Sequence, residues 1–444
     1  MVTTIHNVNQ KQGYKRMELG DIPEDWRPTP LGSLSAFITK GATPTTYGFR
    51  WVNDGVLFLR SECVSEQGLD LSQSMFITAE AHNMLKRGEV HAGDILVTIT
   101  GNVGRVISLS NDFGVANINQ HIARIRIIDS DVVAGYVFHF LSQPSIRKYY
   151  NSITTGQAYP QISLKQVRDT RIPIPPTTSE QQAIATALSD VDALITSLDK
   201  LIAKKRDIKQ TTMQRLLTGK TRLPGFGDEL KLRYKQTEIG FIPEDWEPRP
   251  LGLISAFITK GATPTTYGFS WANDGVLFLR SECVSEQGLD LTQSMFITSE
   301  AHNILKRGEV HAGDILMTIT GNVGRVIYLG NGFSIANINQ HIARIRITDS
   351  SIDANYVFHF LSQPALRKYY NSITTGQAYP QISLKQVRDT RIPIPPTKSE
   401  QQAIANVLSD MDAEITALEH RRKKTHMLKH AMMQELLTGK TRLI

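Results

Sequence analysis

Tyr14-Lys15-Arg16-Met17-Glu18-Leu19-Gly20 returns 220 residues later as Tyr234-Lys235-Gln236-Thr237-Glu238-Ile239-Gly240. The same offset holds without a gap as far as Gly219-Lys220-Thr221-Arg222, which returns as Gly439-Lys440-Thr441-Arg442. Residues 31–127 and 251–347 differ at 13 of 97 positions, and 147–177 recurs unchanged at 367–397. A solenoid stacks at least about three short units, so two long ones describe something else. The chain is one unit written twice, and two like modules imply two like targets.

Each copy has two textures. Residues 14–177 carry short β-branched runs broken by Gly, Asn, Asp and Pro: Val56-Leu57-Phe58-Leu59, Ile95-Leu96-Val97-Thr98-Ile99, Val106-Ile107 and Ala123-Arg124-Ile125-Arg126-Ile127 read as strands. Tyr136–Leu141 and Ser145–Tyr150 read as a helical pair, giving a mixed α/β module. Residues 178–219 differ: Ile184, Leu188, Val191, Ile195, Leu198 and Ile202 alternate spacings of four and three, the seam of a coiled coil. Ile404, Leu408, Met411, Ile415 and Leu418 repeat it. Pro175-Pro176 stop the preceding segment, and Ser179 with Gln182, like Ser399 with Gln402, forms a capping-box pattern. Gly219 and Gly439 stand where a left-handed cap ends a helix.

A helix of this length is roughly 60 Å long, and its single apolar stripe needs a partner. The two helices are therefore expected to bury each other's stripes. The short linker from Pro224-Gly225-Phe226-Gly227 favours an antiparallel pair with module two at the far end of helix one. The predicted architecture is α/β (α+β) and pseudo-twofold symmetric: module 14–177, helix 178–219, linker 220–233, module 234–397, helix 398–444.

The 444 residues carry 49 basic and 42 acidic side chains, a net charge of +7 that leans towards a polyanionic partner. Two cysteines, Cys63 and Cys283, exclude a disulfide framework and point to a reducing compartment. No run approaches the ~18 apolar residues of a membrane span, and the N-terminus lacks a signal-peptide pattern. The expectation is a soluble, cytoplasmic protein without a membrane association.

Motifs for bond-making are missing. Leu217-Thr218-Gly219-Lys220-Thr221 imitates the end of a phosphate-binding loop, but Gln214 stands where that motif needs glycine and a helix precedes it. There is no Gly-x-Gly-x-x-Gly, and Ile172-Pro173-Ile174-Pro175-Pro176 lacks the Asn or Asp and the aromatic of an adenine methyltransferase loop. His82, His91, His121 and His139 show no metal-ligand spacing. No catalytic residue, metal or resident cofactor is assigned.

Polar loops recur instead. Lys40, Thr43, Thr45 and Tyr47 lie in one; Asn102 and Arg105 end a tight turn; Asn119 and Gln120 set amides in a row; Gln157, Tyr159 and Gln161 form a fourth. The second copy repeats them as Lys260, Thr263, Thr265, Tyr267, Asn322, Arg325, Asn339, Gln340, Gln377, Tyr379 and Gln381. Asn and Gln pair with adenine edges and Arg with guanine, while hydroxyls and Lys hold phosphates. These twenty-two residues are the candidate DNA contacts.

Pro175-Pro176-Thr177-Thr178-Ser179-Glu180-Gln181-Gln182-Ala183-Ile184-Ala185, then Leu188-Ser189-Asp190-Val191-Asp192 and Met213-Gln214-Arg215-Leu216-Leu217-Thr218-Gly219-Lys220, resembles the spacer regions of type I restriction-modification specificity subunits. Pro395-Pro396, Ser399-Glu400-Gln401-Gln402 and Met433–Lys440 match again, and Gly41-Ala42-Thr43-Pro44 and Asn119-Gln120 resemble elements of the family's target-recognition domains. The resemblance implies two such domains reading a bipartite double-stranded DNA site, with the helices as ruler and platform for two modification subunits. S-adenosylmethionine chemistry would belong to those partners, and ATP- and Mg-dependent cleavage to restriction subunits.

The near identity of the two modules departs from the family, whose halves generally diverge. It predicts an interrupted palindrome, with Arg50/Ser270, Ser108/Tyr328 and Asp112/Gly332 as places where the halves can differ. A stand-alone twofold DNA-binding regulator, an enzyme with an unrecognised site, and a tandem carbohydrate-binding protein remain open alternatives at this point.

Overall fold

The computed structural model describes residues 13–17, 20–156, 158–227, 233–376 and 378–443. The chain forms two compact units: the residues up to Asp199 together with His420 onward, and Lys200–Glu419. Each unit therefore holds one module, the first part of that module's own long helix and the last part of the other.

The first module is built on two four-stranded sheets. Its strands are β1 (Ser35–Lys40), β2 (Val56–Leu59), β3 (Met75–Ile77), β4 (Glu89–Val90), β5 (Ile95–Thr98), β6 (Val106–Ser108), β7 (Ala116–Ile118) and β8 (Ile122–Ile127). One sheet runs β6-β5-β8-β1 and is antiparallel throughout; the other runs β3-β2-β7-β4, with β2 and β7 parallel. The two central strands of the first sheet, β5 and β8, are buried on both faces over most of their length, which is why they read as continuous apolar runs. Helices α1 (Ala134–Leu141), α2 (Pro144–Ser152) and α3 (Leu164–Asp169) follow. Arg171–Ile174 then pairs with Arg27–Pro30, tying the module's end to its start. Module two repeats both sheet orders.

The long helices are α4 (Thr178–Leu216) and α5 (Lys398–Leu436). They run antiparallel within each unit. In the first, Asp192 meets Lys429 at 2.6 Å and Asp199 meets Arg422 at 2.7 Å. In the second, Lys205 meets Glu414 at 2.7 Å, and Lys209 pairs with Asp412. Ile184 and Leu188 share a core with Met433, Leu436 and Leu437, and Ile404 and Leu408 share one with Met213, Leu216 and Leu217. Each fully buried Leu or Ile of such a seam contributes about 1.5–3 kcal/mol relative to exposure.

Two local readings are adjusted. The helix cap is Thr177, whose hydroxyl accepts from Glu180 N–H at 3.2 Å, and Thr397 does the same for Glu400 at 3.3 Å. Ser179 and Ser399 lie inside the helix, because the chain turns helical directly after the proline pair. Both helices end at Leu216 and Leu436 rather than at the glycines. Gly219 and Gly439, with φ of 68° and 67°, close a further turn against the ring of Pro243 and of Pro23 respectively. The linker expected over 220–233 includes residues 228–232, which lie outside the described residues.

Candidate nucleic-acid interface

The strand register sets the candidate loops together. Thr98 at the end of β5 faces Ile122 at the start of β8, and Ala123 faces Lys40 at the end of β1. The segments 41–47, 99–105 and 119–121 therefore leave the same end of one sheet. Backbone hydrogen bonds stitch them into a rim: Gly41 N–H donates to Asn119 C=O at 3.2 Å, and Ile99 N–H donates to His121 C=O at 2.8 Å. Gly101 N–H donates to Pro160 C=O at 2.9 Å, and Thr155 and Gln161 exchange bonds of 2.9 and 3.0 Å, adding the fourth loop. In module two Gly261, Ile319, Gly321 and Thr375 make the same bonds.

A glycine is required where the first loop leaves the sheet. A Cβ on Gly41 would stand 1.7 Å from the Ile118 carbonyl oxygen, so no other residue fits that backbone.

On this frame Lys40 is exposed at the strand end, and Thr45 and Tyr47 are exposed in the turn Pro44–Tyr47. Thr43 is half-buried and its hydroxyl donates to the Gln120 side-chain oxygen. Gln120 Nε2 also sits 3.0 Å from His121 Nε2, so this amide is already engaged within the rim. Asn102 is exposed at the turn apex, where its carbonyl accepts from Thr98 Oγ1 at 2.5 Å. Arg105 is half-buried; its Nη1 reaches Val64 C=O at 3.5 Å and its buried Nε has no partner. Tyr159 is 75 % exposed and Gln161 projects its side chain from the bridged strand. Lys260, Thr263, Thr265, Tyr267, Asn322, Arg325, Gln340, Tyr379 and Gln381 take the same places. Gln157 and Gln377 lie outside the described residues.

Asn119 and Asn339, expected to face outward, are turned inward at 6 % and 7 % exposure. Their side-chain oxygens accept from His121 and His341 N–H at 3.1 Å, because the chain reverses between β7 and β8 and that N–H needs an acceptor. They are struts of the rim.

Carboxylates around it are occupied. Glu66 is ion-paired with Arg147, and that contact holds its carboxyl below the ordinary range; Glu286 is held likewise by Arg367 at 2.6 Å. At the opposite end of the same sheet, buried Asp94 grips Arg126 through two bonds of 2.7 Å. Among the described residues no cluster of His, Cys, Asp and Glu could hold a metal ion, and no helix is long and apolar enough to cross a membrane. Cys63 and Cys283 are free and buried.

Residues 23–207 and again 243–426 match the type I restriction modification DNA specificity domain family. The chain belongs to that family. Each specificity-domain match covers most of one module and runs on into the long helix after it. A type I restriction enzyme MjaVIII specificity subunit from Methanocaldococcus jannaschii is 25 % identical over 438 residues, 98 % of this chain and 97 % of that one. The EcoBI specificity subunit of Escherichia coli is 24 % identical over 398 residues, 87 % of this chain and 79 % of that one. The specificity-domain fold is shared with the S subunit of a type I restriction-modification system from M. genitalium, with TM-score 0.58, 14 % identity, and coverage of 93 % and 96 % of the two chains.

Two exposed cations that the sequence reading passed over, Lys86 and Arg87, also meet this rim. They belong to none of the four loops in sequence, and only the fold brings their turn against Gly41.

Proposed function

We propose that this specificity-domain chain is the sequence-reading subunit of a type I restriction-modification assembly and makes no bonds itself. The observation that carries the proposal is the rim: the same exposed amides, hydroxyls, aromatics and cations, held by the same hydrogen bonds, occur twice in one chain. Domain limits of 14–177 and 234–397 for the readers, 178–219 and 398–444 for the spacer helices and 220–233 for the linker go with this reading. The relatives named above support its membership of such an assembly.

In this reading each module takes one half of a bipartite duplex site. Asn102, Arg105, Gln161 and their copies address base edges, and Lys40, Thr45 and the loop N–H groups address phosphates. Like modules take like halves, so the site is an interrupted palindrome. Modification subunits, two per chain, carry S-adenosylmethionine chemistry, and restriction subunits carry the ATP- and Mg-dependent steps, in the cytoplasm.

Methylome sequencing of cells with and without the chain tests this. The expected result is a methylated motif with two equal, inverted halves that disappears when the chain is deleted. Methylation that is unaffected by the deletion, or purified chain that alone methylates or cleaves DNA, overturns it.

A further inference from the structure

Lys86-Arg87-Gly88 forms a single 3-10 turn just before β4, and its backbone is pinned from two sides. A Cβ on Gly88 would stand 2.8 Å from Gly41 Cα and 3.1 Å from the Ile118 carbonyl oxygen, and Thr39 Oγ1 donates to Arg87 C=O at 3.3 Å. The copy Lys306-Arg307-Gly308 packs in the same way: a Cβ on Gly308 would stand 2.9 Å from Gly261 Cα, and Thr259 Oγ1 donates to Arg307 C=O at 3.4 Å. The side chains contrast with this fixed backbone: Lys86 and Arg87 are exposed, as is Lys40 at the neighbouring strand end.

Among the described residues Lys86, Arg87, Lys306 and Arg307 stand in no ion pair, although the charge of Lys306 reaches Glu309. Glu89, the nearest acid in sequence, is held by His91 at 2.6 Å and His82 at 3.2 Å, and Glu309 by His311 at 2.7 Å and His302 at 3.1 Å. Like charges gathered on a stiff frame repel one another and add nothing to folding. A polyanion removes that repulsion, and a turn with no freedom to move loses little entropy in binding it.

We propose that the turns Lys86–Gly88 and Lys306–Gly308 are backbone clamps for duplex DNA, each holding phosphates and fixing the register of its module while the loops read bases. This rests on the DNA-reading function proposed above. Phosphate contacts position a protein without carrying sequence information, so the clamp separates affinity from motif.

The test is the salt dependence of binding of the chain, with its modification subunits, to a duplex carrying the motif found in the methylome. Lys86→Ala, Arg87→Ala, Lys306→Ala and Arg307→Ala together are expected to reduce the slope of log K against log salt by about 2–4, since each lost phosphate contact removes about 0.9. The methylated motif should stay the same, and the lysine/arginine exchanges Lys86→Arg and Arg87→Lys in both copies should keep the slope near its original value. The control removes four exposed arginines outside the rim loops and the long helices, Arg16, Arg27, Arg171 and Arg233, for the same change in net charge. An unchanged slope in the turn variant, an equal change in the control, or a changed motif overturns the clamp. Failure of the unsubstituted chain to prefer the motif duplex at all instead overturns the DNA-reading function beneath it.

Discussion

At the scale of single residues, the rim depends on contacts that no local pattern reveals. Gly41 reads in the sequence as a turn glycine, yet it is fixed by a carbonyl 77 residues away, which a Cβ would strike at 1.7 Å. Gly41→Ala is expected to cost the first unit about 2–4 kcal/mol, because backbone must move on one side or the other. Urea unfolding would show it as an early transition, and an unchanged curve would refute the contact. Asn119 was legible as a polar loop residue, but its inward orientation was not, since only the strand reversal creates the N–H it serves.

His139 and His359 make a second residue-scale prediction. Both rings are buried, with Nε2 2.9 and 3.0 Å from Ser189 and Ser409 Oγ. Burial strips water from the imidazolium and lowers the pKa to about 4 for His139 and about 3 for His359; Asp192 partly offsets this at His139, while Lys209 adds to it at His359. An unfolded chain, with histidine near 6.5, takes up the proton first. The stabilisation is complete above about pH 6.5 and is lost as pH falls from there towards 4 in the first unit and 3 in the second, by something on the order of 3 kcal/mol per ring. Denaturant midpoints measured across that range should fall, and His139→Gln with His359→Gln should flatten the fall.

At the scale of elements, the long helices were the most legible part of the chain. Their 4/3 spacing depends only on helical geometry, and Ile184, Leu188, Ile195, Leu198 and Ile202 are indeed buried. What holds their ends was not legible, because it joins residues far apart in sequence. The first-turn carboxylate Glu400 receives Nε and Nη2 of Arg222, whose Nη1 meets Asp245 at 3.1 Å. Glu180 receives Arg442 in the same manner, with Asp25 as the third member. Carboxylates in a first turn also suit the helix dipole. Arg222→Ala would leave Glu400, 1 % exposed, unpaired, and is expected to cost about 3–5 kcal/mol. Arg442→Ala should cost less, since the Arg442 side chain is 30 % exposed against 4 % for Arg222. The guanidinium carbons lie 5.6 and 5.7 Å from the ring centres of Trp246 and Trp26, so tryptophan fluorescence can follow each unit's unfolding. Equal effects from the two substitutions would contradict the difference in burial.

At the scale of the whole molecule, the decisive feature is that two readers are encoded with almost the same side chains. The duplication was plain from the sequence, whereas the grouping of four distant loops into one rim came only from the strand register and the hydrogen bonds between loops. A chain that carries the same rim twice allows one rim to be changed while the other serves as an internal control. Asn102→Ala, Arg105→Ala and Gln161→Ala placed in the first copy alone should relax one half of the methylated motif, since each lost base contact costs about 1–3 kcal/mol of discrimination. The other half, read by Asn322, Arg325 and Gln381, should keep its bases. Moving the same three substitutions to the second copy must give the equivalent result, and combining both sets should leave binding that depends on salt but no longer on sequence, because Lys40, Lys86, Arg87 and their copies remain. Loss of both halves from a change in one copy would mean that the modules do not read independently, and retention of both would remove these three side chains from the reading surface.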